Sequence, residues 1–164
     1  MIIRPLTAED CPACARLMAA TPLWQHYGVT EHSAQQRLEQ GLANQATIAV
    51  AEQDGQVLGF VWYVLEGAFA RSGYILLIGV QPGRYGQGVG QALMDYAEAQ
   101  VFQQAADIFL LVSDFNLAAQ RFYQRRGYKQ VGAIPDYVLP GVSELIYTRR
   151  RPASAQGGVA DGSR

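Results

Sequence analysis

Glycines at alternate positions, Gly86, Gly88 and Gly90, are the first residues of this sequence whose spacing could do chemistry. They follow an uncharged apolar run, Tyr74–Val80, that reads as a strand buried on both faces. Pro82 and Gly83 stop that strand. Beyond Gly90, QALMDYAEAQVFQQ is rich in helix formers and sets Val89, Leu93, Tyr96 and Ala97 on one face. A strand, a glycine-rich turn and a helix start, in that order, turn consecutive backbone N–H groups toward one point. The helix dipole adds about half a positive charge there. A phosphate is the natural occupant. A Walker A loop would need Lys and Ser/Thr after its last glycine, but Val89 and Gly90 follow Gly88 and no Lys is near. A Rossmann fingerprint fails at Gln91, where its third glycine should stand.

A second constellation lies downstream. Asn116 and Tyr123 are seven apart in a helical pattern, so they share one helix face about two turns apart. Cys11 and Cys14 form CPAC at the start of another expected helix. Two cysteines alone make no zinc site, and nothing else suggests a redox fold, so these thiols read as structural.

The segment Val80–Gly90, V-x-P-x-x-Y-G-Q-G-V-G, resembles motif A of the GNAT superfamily of acyl-CoA-dependent N-acyltransferases. That motif is Gln/Arg-x-x-Gly-x-Gly/Ala. Gly88 and Gly90 hold its small positions, and Tyr85 stands where Gln or Arg is usual. NLAAQRFYQRRGY resembles motif B, with matches at Asn116, Ala119, Phe122, Tyr123, Gly127 and Tyr128. The segment GAIPDYVLPGVSELIYTR is similar to the closing hairpin of small bacterial members. The resemblance covers about residues 1–150. It implies acetyl-CoA as cosubstrate and no metal. The cofactor would be held by Ile78, Gly79, Val80, Tyr85, Gly86, Gln87, Gly88, Val89, Gly90, Asn116 and Ala119, with the Tyr123 hydroxyl beside the thioester sulfur. It also implies a homodimer and a sheet splayed between its fourth and fifth strands, with pantetheine in the gap.

The chemistry would be direct attack of an amine on the thioester. The departing CoA thiolate has a pKa of about 8.5, so a nearby donor such as Tyr123 helps it leave. The oxyanion needs a preplaced N–H donor, which a splayed strand offers near Ile78–Val80. A lysine-like amine is neutral only about once in 2,500 molecules at pH 7, a deficit of about 4.6 kcal/mol. Something must therefore take its proton. The central strand carries no acid. Glu66, Asp114 and His26 stand near its neighbours, with Glu66 taken as the base and relay through water left open. Trp24, Tyr27, Trp62, Tyr63 and Tyr137 would line the acceptor pocket and favour an apolar acceptor, with Glu66 or Asp136 holding one ammonium.

Positioning these residues requires a β-α-α-β-β-β-α-β-α-β-β order. This is an α/β chain with a mixed sheet and helices on both faces. Thr7 and Asp10 suggest a capping box for a helix reaching about Ala20, and Thr30 caps a second helix running to about Asn44. Residues 21–30 between them read as a loop. Asp54-Gly55 marks a hairpin. Residues 1–149 read as one domain, and 150–164 as a disordered tail poor in apolar residues. With 49% hydrophobic residues and 16% charged the chain has ordinary globular composition, and its net charge of −1 argues against a nucleic-acid binder, which would need a basic face. No apolar run approaches a membrane span and no signal segment precedes the first strand, so a cytoplasmic protein is expected. The expected activity is N-acetylation of a small-molecule amine or peptide N-terminus. The alternatives are an acyl-CoA-sensing module with little turnover and a transferase for a longer acyl group such as succinyl.

Overall fold

The structure is a computed structural model and describes residues 1–153. Strand β1 (Ile2–Pro5) ends at a proline, which cannot donate to a ladder. A 3-10 turn over Ala8–Asp10 then leads into α1 (Cys11–Ala19). The expected capping box forms: the Asp10 carboxylate accepts from the Thr7 N–H at 2.8 Å. It also accepts from Arg4 Nη1 at 2.7 Å, and this guanidinium holds Asp10 below the usual carboxylate range. Cys11 and Cys14 are fully buried on α1 and free. Burial raises the Cys11 thiol and pushes Cys14 up to about 12, the opposite of a reactive CxxC pair.

The expected loop at 21–30 contains a short helix, α2 (Pro22–His26). Pro22 is not a breaker here. At the first helical position its missing N–H costs nothing and its φ is preset. α3 (Glu31–Ala43) starts at Thr30, whose Oγ1 accepts from Ser33 N at 3.1 Å. Gly41 lies in its last turns because a Cβ there would sit 2.4 Å from the Trp62 ring.

Strands β2 (Thr47–Gln53) and β3 (Gln56–Ala68) form the hairpin expected at Asp54-Gly55, where both residues have positive φ. Then follow β4 (Ser72–Val80), α4 (Val89–Val101), β5 (Asp107–Ser113), α5 (Leu117–Arg125), β6 (Lys129–Pro135) and β7 (Ser143–Arg150). Among the described residues the strands form one mixed sheet in the order β1-β2-β3-β4-β5-β7-β6. β4 and β5 run parallel, and the other neighbours run antiparallel. One core packs α4 and α5 on the sheet through Leu93, Met94, Val101, Ile108 and Tyr123. The other face packs Leu17, Met18, Trp24 and Leu38 on Val50 and Phe60. No helix of the described residues is long and apolar enough to cross a membrane.

Two further expectations are corrected. The first is complete burial of Tyr74–Val80: Ile75 and Gly79 are buried, whereas Leu76, Leu77, Ile78 and Val80 are only half-buried. The cause is the pairing. β4 and β5 are in register at Gly73/Ile108, Tyr74/Phe109 and Ile75/Leu110, and beyond those pairs the strands part. The second concerns a tail starting at residue 150. Arg150 ends β7 with its Nε 2.9 Å from Asp107, and Arg151 N donates to Ala106 O at 2.7 Å. The rest of that expectation, over 154–164, lies outside the described residues.

Candidate functional site

The gap between β4 and β5 is the center of a cleft of about 1740 Å³, larger than a typical small-molecule pocket. Leu76–Val80 line one wall, and Leu111, Val112 and Ser113 line the other. Backbone groups on the parted edge of β4 therefore face the cleft instead of a neighboring strand.

At the end of β4 the chain turns through the glycine loop. Gly83, Gly86 and Gly88 all have positive φ, and Gly88, at φ 82, is the N-cap of α4. A Cβ at Gly86 or Gly88 would meet nothing within 4 Å. These glycines thus serve the left-handed backbone and keep the space before the helix N-terminus open. The first turn of α4 carries no acidic residue, so its partial positive charge is not neutralised.

Of the expected cofactor contacts, Ile78, Gly79, Val80, Tyr85, Gly86, Gly88, Gly90, Asn116, Ala119 and Tyr123 line the cleft together. Two do not. Gln87 turns its side chain back, with Nε2 donating to Gly83 O at 3.2 Å. The Val89 side chain is 2% exposed and belongs to the core. Asn116 caps α5: its Oδ1 accepts from Ala119 N at 3.2 Å, leaving the amide N–H groups for a ligand. Tyr123 is 6% exposed and packs edge-on against Phe122 and Tyr128, with ring centroids 5.2 and 5.7 Å away. Burial pushes its pKa above the ordinary tyrosine range.

The candidate bases fare differently. Glu66 is exposed on β3 next to the lining residue Gly67 but is not itself in the lining. His26 and Asp114 are exposed and also lie outside it. The Asp114 carboxylate accepts from Ser143 N at 3.0 Å, and that of Asp136 accepts from Gly141 N at 2.6 Å, so both tie down loops. Among the expected acceptor-pocket aromatics, Trp24 stacks on Phe60 at 5.8 Å and also reaches the cleft. Tyr63 is core, at 3% exposure. Tyr27 and Tyr137 line the cleft and Trp62 does not.

A model of the GNAT acetyltransferase family matches residues 12–128. The chain belongs to that family. An uncharacterized N-acetyltransferase of Methanocaldococcus jannaschii is 33% identical over 105 residues, which is 63% of this chain and 65% of that relative's length. A putative GNAT acetyltransferase of Desulfovibrio desulfuricans superposes with a TM-score of 0.78 at 20% identity, covering 91% of this chain and 98% of that one. An aminoglycoside 6′-N-acetyltransferase complexed with coenzyme A superposes with a TM-score of 0.75 at 16% identity, covering 93% and 99%. At these identities both structures speak for the fold alone.

This GNAT chain also has a polar group in its cleft that sequence reasoning missed. Glu144 on β7 is 6% exposed and is the register partner of Ser113 on β5. The Tyr27 hydroxyl, at the C-terminal end of α2, donates to Glu144 Oε1 and lies 2.6 Å from Ser113 Oγ. Burial first, then the Glu144 carboxylate, pushes Tyr27 up to about 12. All three residues line the cleft. The sole signal in the sequence was an acid interrupting the apolar alternation of the last strand.

Proposed function

We propose that this GNAT protein transfers an acetyl group from acetyl-CoA to a primary amine of a small molecule or a peptide N-terminus. The observation that carries the reading is the parting of β4 from β5 beside an open, positively polarised helix N-terminus and a tyrosine hydroxyl. The coenzyme A complex of the structurally similar aminoglycoside acetyltransferase supports the choice of ligand.

In this reading the N–H groups around Gly86 and Gly88 hold the pyrophosphate, so Tyr85 in place of Gln or Arg is tolerated. The pantetheine lies along the free edge of β4. N–H groups near Ile78–Val80 receive the developing oxyanion, and being fixed by the strand they need no reorganisation during reaction. The amine nitrogen bonds to the acetyl carbon, the C–S bond breaks, and Tyr123 passes its proton to the leaving sulfur. Glu66 lies on β3 beside the paired end of β4, between the Val64/Tyr74 and Ala68/Ser72 pairs, so in this reading the amine proton leaves by relay through water in the cleft.

Calorimetric titration with acetyl-CoA tests the reading first. Saturable binding below millimolar concentration is expected, followed by free-thiol release when amines are added. No heat at millimolar acetyl-CoA would sink it. Binding with only slow, amine-independent thiol release would mark a sensing module instead.

A further inference from the structure

We infer that Glu144, held by Tyr27 and Ser113, is the counter-ion for the ammonium group of the acceptor, and that this acceptor carries one ammonium on an apolar or aromatic body. The assignment rests on the acetyl-transfer reading for the word acceptor; the cation site itself does not.

The described residues contain three buried carboxylates. Asp10 is paired with Arg4 at 2.7 Å, and Glu98 with Arg126 at 2.7 Å and with Arg149. Glu144 has no cationic partner among the described residues; its donors are the two neutral hydroxyls. A buried carboxylate without a cation forfeits hydration that hydroxyls replace only in part. The fold supplies a guanidinium at two such places and withholds it at the third, which is the one that faces the cleft. An ammonium entering there would form charge-assisted hydrogen bonds with an anion already fixed in place.

The position suits an acceptor. In β5, Ile108, Leu110 and Val112 point into the α4 and α5 core. Ser113, one residue on, therefore faces the opposite side of the sheet from Tyr123, at the end where β4 and β5 have parted. A cofactor held from the α4 side and an amine held at Glu144 would meet through that opening. The cleft that Glu144 lines is also lined by Tyr74, Phe109, Leu111, Tyr137, Val138 and Ile146. Burial first, then the charges of Tyr137 and Glu144, raise the Tyr74 pKa. Of the other charged groups on this side, Arg37 lies over Trp62 at 5.9 Å, and Asp114 is bonded to Ser143 N.

The test compares 2-phenylethylamine with 2-phenylethanol, which has the same body without the charge. Binding to the full chain is measured by titration in the presence of CoA, which cannot turn over. Wild type is expected to favor the ammonium by about tenfold or more, the range of a charge-assisted hydrogen bond. Glu144→Gln, isosteric and neutral, should bring the ratio to near one while CoA affinity is unchanged. Equal wild-type binding of the two, no binding of the ammonium, or a preference that survives in Glu144→Gln overturns the inference. The wild-type comparison decides even if the variant does not fold. Failure of acetyl-CoA binding with the ammonium preference intact would remove the transfer reading and leave the cation site standing.

Discussion

Tyr123 can be read as a core aromatic or as an acid, and the two readings predict different kinetics. Its ring is buried between Phe122 and Tyr128, yet it belongs to the cleft lining. Burial disfavors the phenolate, so the hydroxyl remains protonated past the free-tyrosine value of about 10. A donor serves only while protonated, so its contribution to kcat is complete below about pH 10 and persists above it. Tyr123→Phe should lower kcat by about 10²–10⁴-fold, the usual worth of general acid–base catalysis. The KM for acetyl-CoA should barely move, because the phenyl ring still fills its place. A core role would instead appear as lost thermal stability with kcat preserved. A falling limb of kcat centered below pH 10 that disappears in Tyr123→Phe would show that the acid titrates too early for this assignment.

The glycines of β4 and its following loop separate binding from packing. At Gly88 the φ of 82 strains any other residue by about 1–2 kcal/mol, and a Cβ there would project into empty space before α4. Gly88→Ala should therefore melt a few degrees lower and weaken acetyl-CoA binding by about tenfold, one kcal/mol or more of blocked contact. At Gly73 a Cβ would lie 2.2 Å from Val101 Cγ1, inside the core at the paired end of β4 and β5. Gly73→Ala should lose about 1–3 kcal/mol to overpacking while keeping cofactor affinity. Calorimetry and thermal melts on the two variants distinguish these effects; equal affinity loss in both would refute the assignment of the loop. The same contrast explains what could be read in advance. The glycine loop and the Asn116–Tyr123 pair are local, so spacing along the chain was enough. α2 was missed because Pro22 reads equally as a breaker and as a first helical residue. Glu144 was missed because its setting depends on strand register and on Tyr27, 117 residues away in sequence. The partial exposure of Leu76–Val80 was hidden for a related reason: an apolar run shows that a strand can be buried on both faces, but not that its neighbor leaves halfway along.

The gap that makes the site divides the sheet into β1–β4 and β5–β7–β6, with few main-chain pairs across the joint. Two side-chain clamps reinforce it. On one face Tyr27 reaches Ser113 and Glu144. On the other, Glu98 of α4 accepts from Arg126 Nη2 at 2.7 Å, from Tyr128 at 3.1 Å and from Arg149 of β7. The Arg126 side chain is only 5% exposed, so removing Glu98 leaves a buried guanidinium with just Asp95, itself largely exposed. Glu98→Ala should cost about 3–5 kcal/mol, as breaking a buried pair usually does. At 2–4 °C per kcal/mol for a domain of this size, the melting temperature falls by roughly 6–20 °C. On the proposed reading CoA lies along the same joint and would bind the folded chain alone. At a hundred times its dissociation constant it returns about 2.7 kcal/mol, restoring most of the loss. Thermal unfolding of wild type and Glu98→Ala, with and without CoA, measures both effects. A loss under about 1 kcal/mol, as for a surface ion pair, would mean that the packing of α4 and α5 holds the two halves of the sheet without this clamp.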